Sequence, residues 1–368
     1  MTGVHVRGAC PSLPAPMETG DGLLVRLVVN TPIPLDAFIG LCAAARTHGN
    51  GTIEVSARGS LQVRGLTPLS APHFADAIAA LDIDISEGVP VLADPLPDDP
   101  SAMIDTETLA GRLREAIAKA GLTLAPKASV VVDGGGRIVL DALAADVRLR
   151  AVATGEGPRF ELALAGDAAS AVPVATVAAG EAVDEVLARL KAIAALGPEA
   201  RAADLPQTRA CRLSHRAAPR QFSRADPIGL HPLGGGAIAL GLGLAFGHAE
   251  AGDLMELARN ATANGAEWAR PAPGRALLFG PLVEVEASAA RQAAERLGFV
   301  TEASDPRRRI AACPGAPSCA HGLIAARALA AEIARHVSLP GDGIALHISG
   351  CAKGCAHPKT APLTIVGT

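Results

Sequence analysis

The sequence predicts an α+β chain built by tandem duplication, with one β-α-β-β-α unit occurring twice and each copy followed by a mixed α/β unit. Three observations lead there. Branched apolar runs that read as strands alternate with stretches of helical spacing. The same order of elements begins again around residue 234. A chain of 368 residues suits two domains, or two fused copies of one, better than a single core.

The elements follow in order. The run from Arg7 to Met17 is rich in turn formers and reads as an extended arm. Leu23 to Val29 is a strand, Leu35 to Ala45 a helix, and Thr52 to Val55 and Leu61 to Val63 are strands flanking the turn at Arg58-Gly59-Ser60. Ala71 to Leu81 is helical, and Asp82 to Ser86 offers a final strand, which completes a ferredoxin-like unit. In the second copy Ala237 to Leu244 is a strand and Gly252 to Ala263 a helix. Ala266 to Trp268 and Ala276 to Phe279 are strands, Ala287 to Leu297 is a helix, and Phe299 to Glu302 closes the unit as a strand. Between the copies, Asp105 to Ala120 and Glu181 to Leu196 are helices, and Ser129 to Asp133 with Arg137 to Leu140 form a hairpin across Gly134 to Gly136. Proline and mixed charge mark linkers at Val89 to Pro100 and Gly197 to Arg220. Last, a helix from Gly322 to Val337 and a strand from Ile344 to Ile348 separate two pairs of cysteines. The expected domains are 1–88 (arm and first ferredoxin-like unit), 101–196 (first mixed unit), 221–303 (second ferredoxin-like unit) and 304–368 (a cysteine-bearing unit).

Hydrophobic residues make up 49% of the chain and mean hydropathy is +0.30. No apolar run approaches the roughly 20 residues needed to span a bilayer. Met1 to Cys10 lacks a signal-peptide core, so the expected location is the cytoplasm. A net charge of −4 and only 2% aromatic residues argue against nucleic-acid binding. Gly20-Asp21-Gly22 and Gly234 to Gly236 lack the strand–helix fingerprint of a dinucleotide site, so a separate electron donor is expected.

Four of the seven cysteines lie between 313 and 355, whereas Cys10, Cys42 and Cys211 are scattered and read as ordinary core or loop residues. Cys313 and Cys319 are spaced C-x5-C, and Cys351 and Cys355 are spaced C-x3-C. Structural zinc favours tighter knuckles. Four thiolates on wide Gly/Pro loops suit a 4Fe–4S cluster, with backbone amides turned toward the sulfurs. A helix opening at Gly322 would add its positive end, and Lys353 a further cation. Zinc and unliganded thiols stay open as other readings. His321, His347 and His357 flank the cysteines and read as hydrogen-bond partners around the loops.

Glu54-Val-Ser-Ala-Arg58-Gly-Ser-Leu-Gln62-Val-Arg64 puts Gln62 and Arg64 on one strand face with Arg58 at the turn before it. Long donors converging there suit a carboxylate clamp. A solvated arginine face is the bland alternative.

The paired spacings, with Ser349-Gly-Cys351-Ala-Lys353-Gly-Cys355, resemble the sulfite and nitrite reductase superfamily. That resemblance implies ferredoxin-like units alternating with mixed α/β reductase-like units, a 4Fe–4S cluster on Cys313, Cys319, Cys351 and Cys355, and Cys355 as the residue that bridges to sirohaem in reductases. It also implies that Arg26, Arg58, Gln62 and Arg64 hold a tetrapyrrole and its anionic ligand. Lys127 matches an active-site lysine, while Ser129 stands where reductases have a second one, which weakens a sulfite-reducing reading. Arg58, Arg64 and Lys127 are the catalytic candidates.

Within the superfamily, Arg7-Gly-Ala-Cys10-Pro, Thr19-Gly-Asp-Gly22-Leu-Leu-Val-Arg26 and Cys313-Pro-Gly-Ala-Pro-Ser-Cys319 resemble the precorrin-3B synthase branch. This implies a monooxygenase-type oxidoreductase of cobalamin biosynthesis that hydroxylates precorrin-3A at C20 with dioxygen and closes a ring A lactone. A mononuclear non-haem iron would accompany the cluster, with ligands unassigned. Arg7, Arg26, Arg58, Arg64 and Lys127 are candidate anchors for the substrate's carboxylates; the run Arg307-Arg308-Arg309 reads as a solvated face. A sirohaem-dependent sulfite or nitrite reductase is the alternative.

Overall fold

A computed structural model of the chain describes residues 11–138, 140–208, 226–339, 343–357 and 361–368. Arg7, His5, Cys10, Cys211 and most of the expected arm lie outside the described residues, as does 209–220 of the second expected linker. The described residues divide into two compact units: those within 84–226 with 232–235, and those within 11–83, 227–231 and 236–368. No helix among the described residues is long and apolar enough to cross a membrane.

In the larger unit the first copy runs β1 (Met17–Thr19), β2 (Gly22–Leu27), β3 (Ile33–Pro34), α1 (Leu35–His48), β4 (Thr52–Val55), β5 (Leu61–Leu66) and α2 (Ser70–Ala79). Strand alternation explains the layers. Val25, Val63 and Ile53 form one cross-strand row, Leu27, Leu61 and Val55 another, and all six are buried. Helix α1 packs Phe38, Leu41 and Cys42, all fully buried, in the core.

The smaller unit is one sheet with two helices against it. It runs β6 (Val91–Leu92), α3 (Thr106–Ala120), β7 (Val130–Asp133), β8 (Ala145–Thr154), β9 (Gly157–Gly166), β10 (Val172–Val177) and α4 (Ala182–Ala194), in sheet order β10-β9-β8-β7-β6. Asp105 caps α3 by accepting from the Glu107 amide at 3.0 Å, and Gly121 ends it in the left-handed region. Leu109, Leu113 and Ile117 recur at helical spacing and join Val186, Leu190 and Ile193 of α4 in one core.

The second copy returns in the larger unit as β11 (Gly229–Pro232), β12 (Ile238–Gly243), β13 (His248–Glu250), α5 (Ala251–Ala263), β14 (Trp268–Ala272), β15 (Ala276–Leu282) and α6 (Glu284–Arg296). The chain ends with β16 (Ile310–Ala312), α7 (Ala326–His336), β17 (Leu346–Ser349) and β18 (Leu363–Val366), whose strands form a parallel sheet.

The two copies match element for element, and they exchange an edge strand. One sheet has the order β1-β2-β5-β4-β13, the other β11-β12-β15-β14-β3. The exchange is reciprocal to the hydrogen bond: the first amide of α1, Leu35, donates to Glu267 O at 3.0 Å, and the first amide of α5, Ala251, donates to Gly51 O at 2.7 Å. Phe38 and Phe279 meet edge to face between the copies, with ring centroids 6.3 Å apart.

Several expectations are corrected. Asp82 to Ser86 and Phe299 to Glu302 form no strands, because the edges beside β2 and β12, where a final ferredoxin-like strand would pair, are held by β1 and β11; Val300 makes only an isolated bridge to Gly243. Among the described residues no hairpin crosses Gly134 to Gly136. Val130–Asp133 pairs in parallel with β6 and β8, and the Gly134 amide instead donates to buried Asp94 at 2.8 Å. Val89 to Pro100 is no free linker, since Val91 and Leu92 form β6 and Leu96 is buried. The helix expected from Gly322 begins at Ala326, so its N-terminal amides do not follow directly on Cys319.

Candidate metal centre

Cys313 directly follows β16 and Cys351 lies just beyond β17, so the parallel pairing of these strands brings the two cysteine loops side by side. Glycine makes the close approach possible. A Cβ on Gly350 would lie 2.9 Å from Gly315 Cα and 3.3 Å from Gly322 Cα, so the loops touch backbone to backbone. Leu323 N donates to Gly350 O at 2.7 Å, and Cys319 N to Gly315 O at 2.8 Å. The Gly350 amide donates to Cys313 Sγ at 3.0 Å, the kind of N–H···S contact that stabilises a thiolate.

Cys313 is buried, Cys319 and Cys351 are half-buried, and Cys355 is exposed on its loop. Partial burial raises the Cys355 thiol above its ordinary value, and the charges of Cys313, Cys351 and Cys319 add to that rise while Lys353 opposes it. The other three sulfurs thus stand within electrostatic reach of Cys355. Among the described residues, no three His, Cys, Asp or Glu side chains are gathered tightly enough to hold a single metal ion. A cubane seats each thiolate on a different iron and needs the sulfurs further apart than one ion does. The donor set and amide cradle fit such a body.

An open cavity of ≈ 580 Å³ adjoins the loops, lined by Ala320, His321, Leu323, Cys351, Ala352 and Lys353. Behind them His347 is buried, its ring 6.0 Å from that of His357. Burial and the Arg275 charge lower the His347 value below that of a free imidazole.

The polar face of the first sheet lies in the same unit. Register places Arg26, Gln62, Glu54 and His248 in one cross-strand row, on the side away from the valine and leucine rows. With its amide oriented by its partners, Gln62 accepts from Arg26 Nη2 at 2.8 Å and Nε at 2.9 Å, and donates to Glu54 Oε2 at 3.0 Å. Arg64 is taken up on all three sides. Its Nε and Nη2 each donate to Asp21 at 2.7 Å, and its Nη1 to Glu54 at 3.2 Å. Burial opposes the Asp21 carboxylate charge, yet the Arg64 hydrogen bonds and charge hold its value below the ordinary range. Arg327 of α7 donates to the other Glu54 oxygen at 2.6 Å.

Arg58 sits half-buried in the Ser56–Ser60 turn. Lys127 belongs to the other compact unit, where its side chain is exposed and its carbonyl accepts from Arg201 at 3.1 Å. Buried Ser129 offers its amide to Asp146. The sequence reading overlooked Asp21, Arg327 and His248. The Gly20-Asp21-Gly22 turn carried a signal for the first; nothing local marks the other two.

No family model matches the chain. The chain has the fold of the Mycobacterium tuberculosis NirA protein, a sulfite/nitrite reductase fold, with a TM-score of 0.69 at 20% identity over 92% of this chain and 70% of that one. It is 43% identical to the precorrin-3B synthase of a Sinorhizobium species, over 98% of this chain and 81% of that relative. Identity of that order along nearly the whole sequence places the chain within the precorrin-3B synthase family.

Proposed function

We propose that the chain hydroxylates precorrin-3A at C20 with dioxygen and closes the ring A lactone, through a 4Fe–4S cluster on Cys313, Cys319, Cys351 and Cys355. The observation that carries the reading is the 43% identity across almost the full chain. The glycine cradle and the N–H donated to Cys313 Sγ support the cluster. When bound, the cluster supplies single electrons, received from a separate donor. One oxygen atom enters the macrocycle and the other leaves as water, with two electrons and two protons supplied.

The chain's own part is binding and orientation. The cavity beside Cys351 falls within the roughly 300–1,000 Å³ range of ligand clefts. Lys353 and His321 on its wall are suited to the acetate and propionate side chains of a tetrapyrrole. Arg26 and Gln62 hold each other in a fixed geometry on the sheet face, and Arg58 at the turn is the proposed third polar anchor. Among the described residues no three His, Cys, Asp or Glu side chains gather to hold a second, mononuclear iron, and its ligands stay unassigned.

The test uses anaerobically purified protein, precorrin-3A, a reductant and labelled dioxygen. Product mass must show one labelled oxygen atom retained in the macrocycle. Iron and acid-labile sulfide must be present together; zinc without sulfide sinks the cluster. A Soret band in the isolated protein returns the reading to a sirohaem reductase.

A further inference from the structure

The turn between β1 and β2 is pressed against the first cysteine loop. Any Cβ at Gly20 would lie 2.3 Å from Cys319 Sγ and 3.2 Å from His321 Cδ2, so the bare glycine backbone is a backstop for that sulfur. Gly20 O accepts from the Ala320 amide at 2.7 Å, which fixes the turn to the residue after the cysteine. A second tie holds the far end of the same loop, where Arg327 at the start of α7 donates to Glu54 at 2.6 Å.

A single chain of charges joins the two ties. Asp21, next to Gly20, receives both parallel donors of Arg64; Arg64 reaches Glu54, and Glu54 receives Arg327. The Asp21 side chain is only 2% exposed, although it sits in a Gly-Asp-Gly turn where a carboxylate is ordinarily solvated. Thr19 Oγ1 lies 2.8 Å from Oδ1, the oxygen that also accepts from Arg64 Nη2. A buried, bidentate carboxylate at a turn tip fixes direction as well as distance. The carboxylate clamp expected of Arg64 is therefore closed by an internal carboxylate.

We infer that Asp21 is a positioning residue for the metal centre: by gripping Arg64 it pins the Thr19–Gly22 turn so that Gly20 holds the Cys319 sulfur in place. The inference rests on Cys319 being a cluster ligand, but the pinning itself can be measured without that assumption.

The experiment compares wild type, Asp21→Asn, Asp21→Glu and Gly20→Ala, purified anaerobically and checked for fold by circular dichroism. Two readouts are taken: the electron paramagnetic resonance signal of the reduced cluster, and the alkylation rate of Cys319 relative to Cys351, mapped by mass spectrometry. Asp21→Asn should shift or broaden the resonance and raise Cys319 alkylation several-fold, Gly20→Ala should do so more strongly, and Asp21→Glu should restore much of the wild-type behaviour. A folded Asp21→Asn protein with wild-type alkylation of Cys319 overturns the inference. Wild type without iron and sulfide defeats the cluster reading instead, while the alkylation ratio still decides whether Asp21 pins the turn.

Discussion

His248 makes the stability of the larger unit fall with acidity. It stands on edge strand β13 opposite Glu54. Burial disfavours its imidazolium, and the positive charges of Arg327 and Arg275 add to that, lowering its value from 6.5 to about 3. The unfolded chain takes up a proton as pH drops through 6.5, whereas the folded chain takes none until about 3. Protons thus bind the unfolded state preferentially throughout this window. The contribution is fully present above 6.5 and is lost as pH falls toward 3. Between pH 7 and pH 5 linkage gives a loss of about 2 kcal/mol from this one group. The assay is denaturant unfolding of wild type and His248→Gln at both pH values, followed by fluorescence of the single tryptophan, Trp268, which lies on β14 in the same unit. Glutamine keeps a polar side chain but cannot titrate there. If the variant loses as much stability as wild type between the two pH values, the reasoning about His248 is wrong.

Two further outcomes test other parts of the molecule. The buried Asp146 carboxylate collects donors from Ser129 N at 3.1 Å, Ala202 N at 3.0 Å, and Arg201 Nε and Nη2 at 2.9 and 2.8 Å. Asp146→Ala strands them and should cost about 3–5 kcal/mol in urea unfolding followed by circular dichroism; Arg201→Ala should cost less, because both backbone donors remain. Cys355→Ser should abolish the brown iron–sulfur absorbance and turnover, while Cys42→Ala, at a fully buried site in α1, should leave iron content unchanged.

Much of the architecture was legible because the first copy obeys local rules. The sequence reading takes Thr52 to Val55 as a strand, and the structure has β4 over the same span; the α1 and α2 estimates agree within a turn. What escaped was written in non-local terms. The long hairpin β8–β9 went unread because β8 buries charge: Arg148 donates to Leu143 O at 2.8 Å and Arg150 pairs with Glu161 at 2.9 Å. Those charges break the apolar alternation by which a strand is recognised, and their partners, a carbonyl in the preceding loop and a carboxylate across the hairpin, are set only once the chain has folded. The short strands β3 and β13 carry too few residues for any periodicity, and their pairing is with the opposite copy. At the site, cysteine spacing announced a shared ligand set. The commitment of Arg64 to Asp21, by contrast, spans 43 positions in sequence and depends on the turn being folded back.

The traded edge strands bear on how such a molecule can arise and be divided. Because β3 completes the sheet of the later copy and β13 that of the earlier one, a fragment ending before residue 227 would present β4 with a bare row of amides and carbonyls. Expressed alone, either half should dimerise through that raw border or aggregate. The ancestor of a fused pair with this geometry is then most simply a homodimer whose subunits already clasped one another, so that joining the genes made permanent an embrace formed earlier between separate chains.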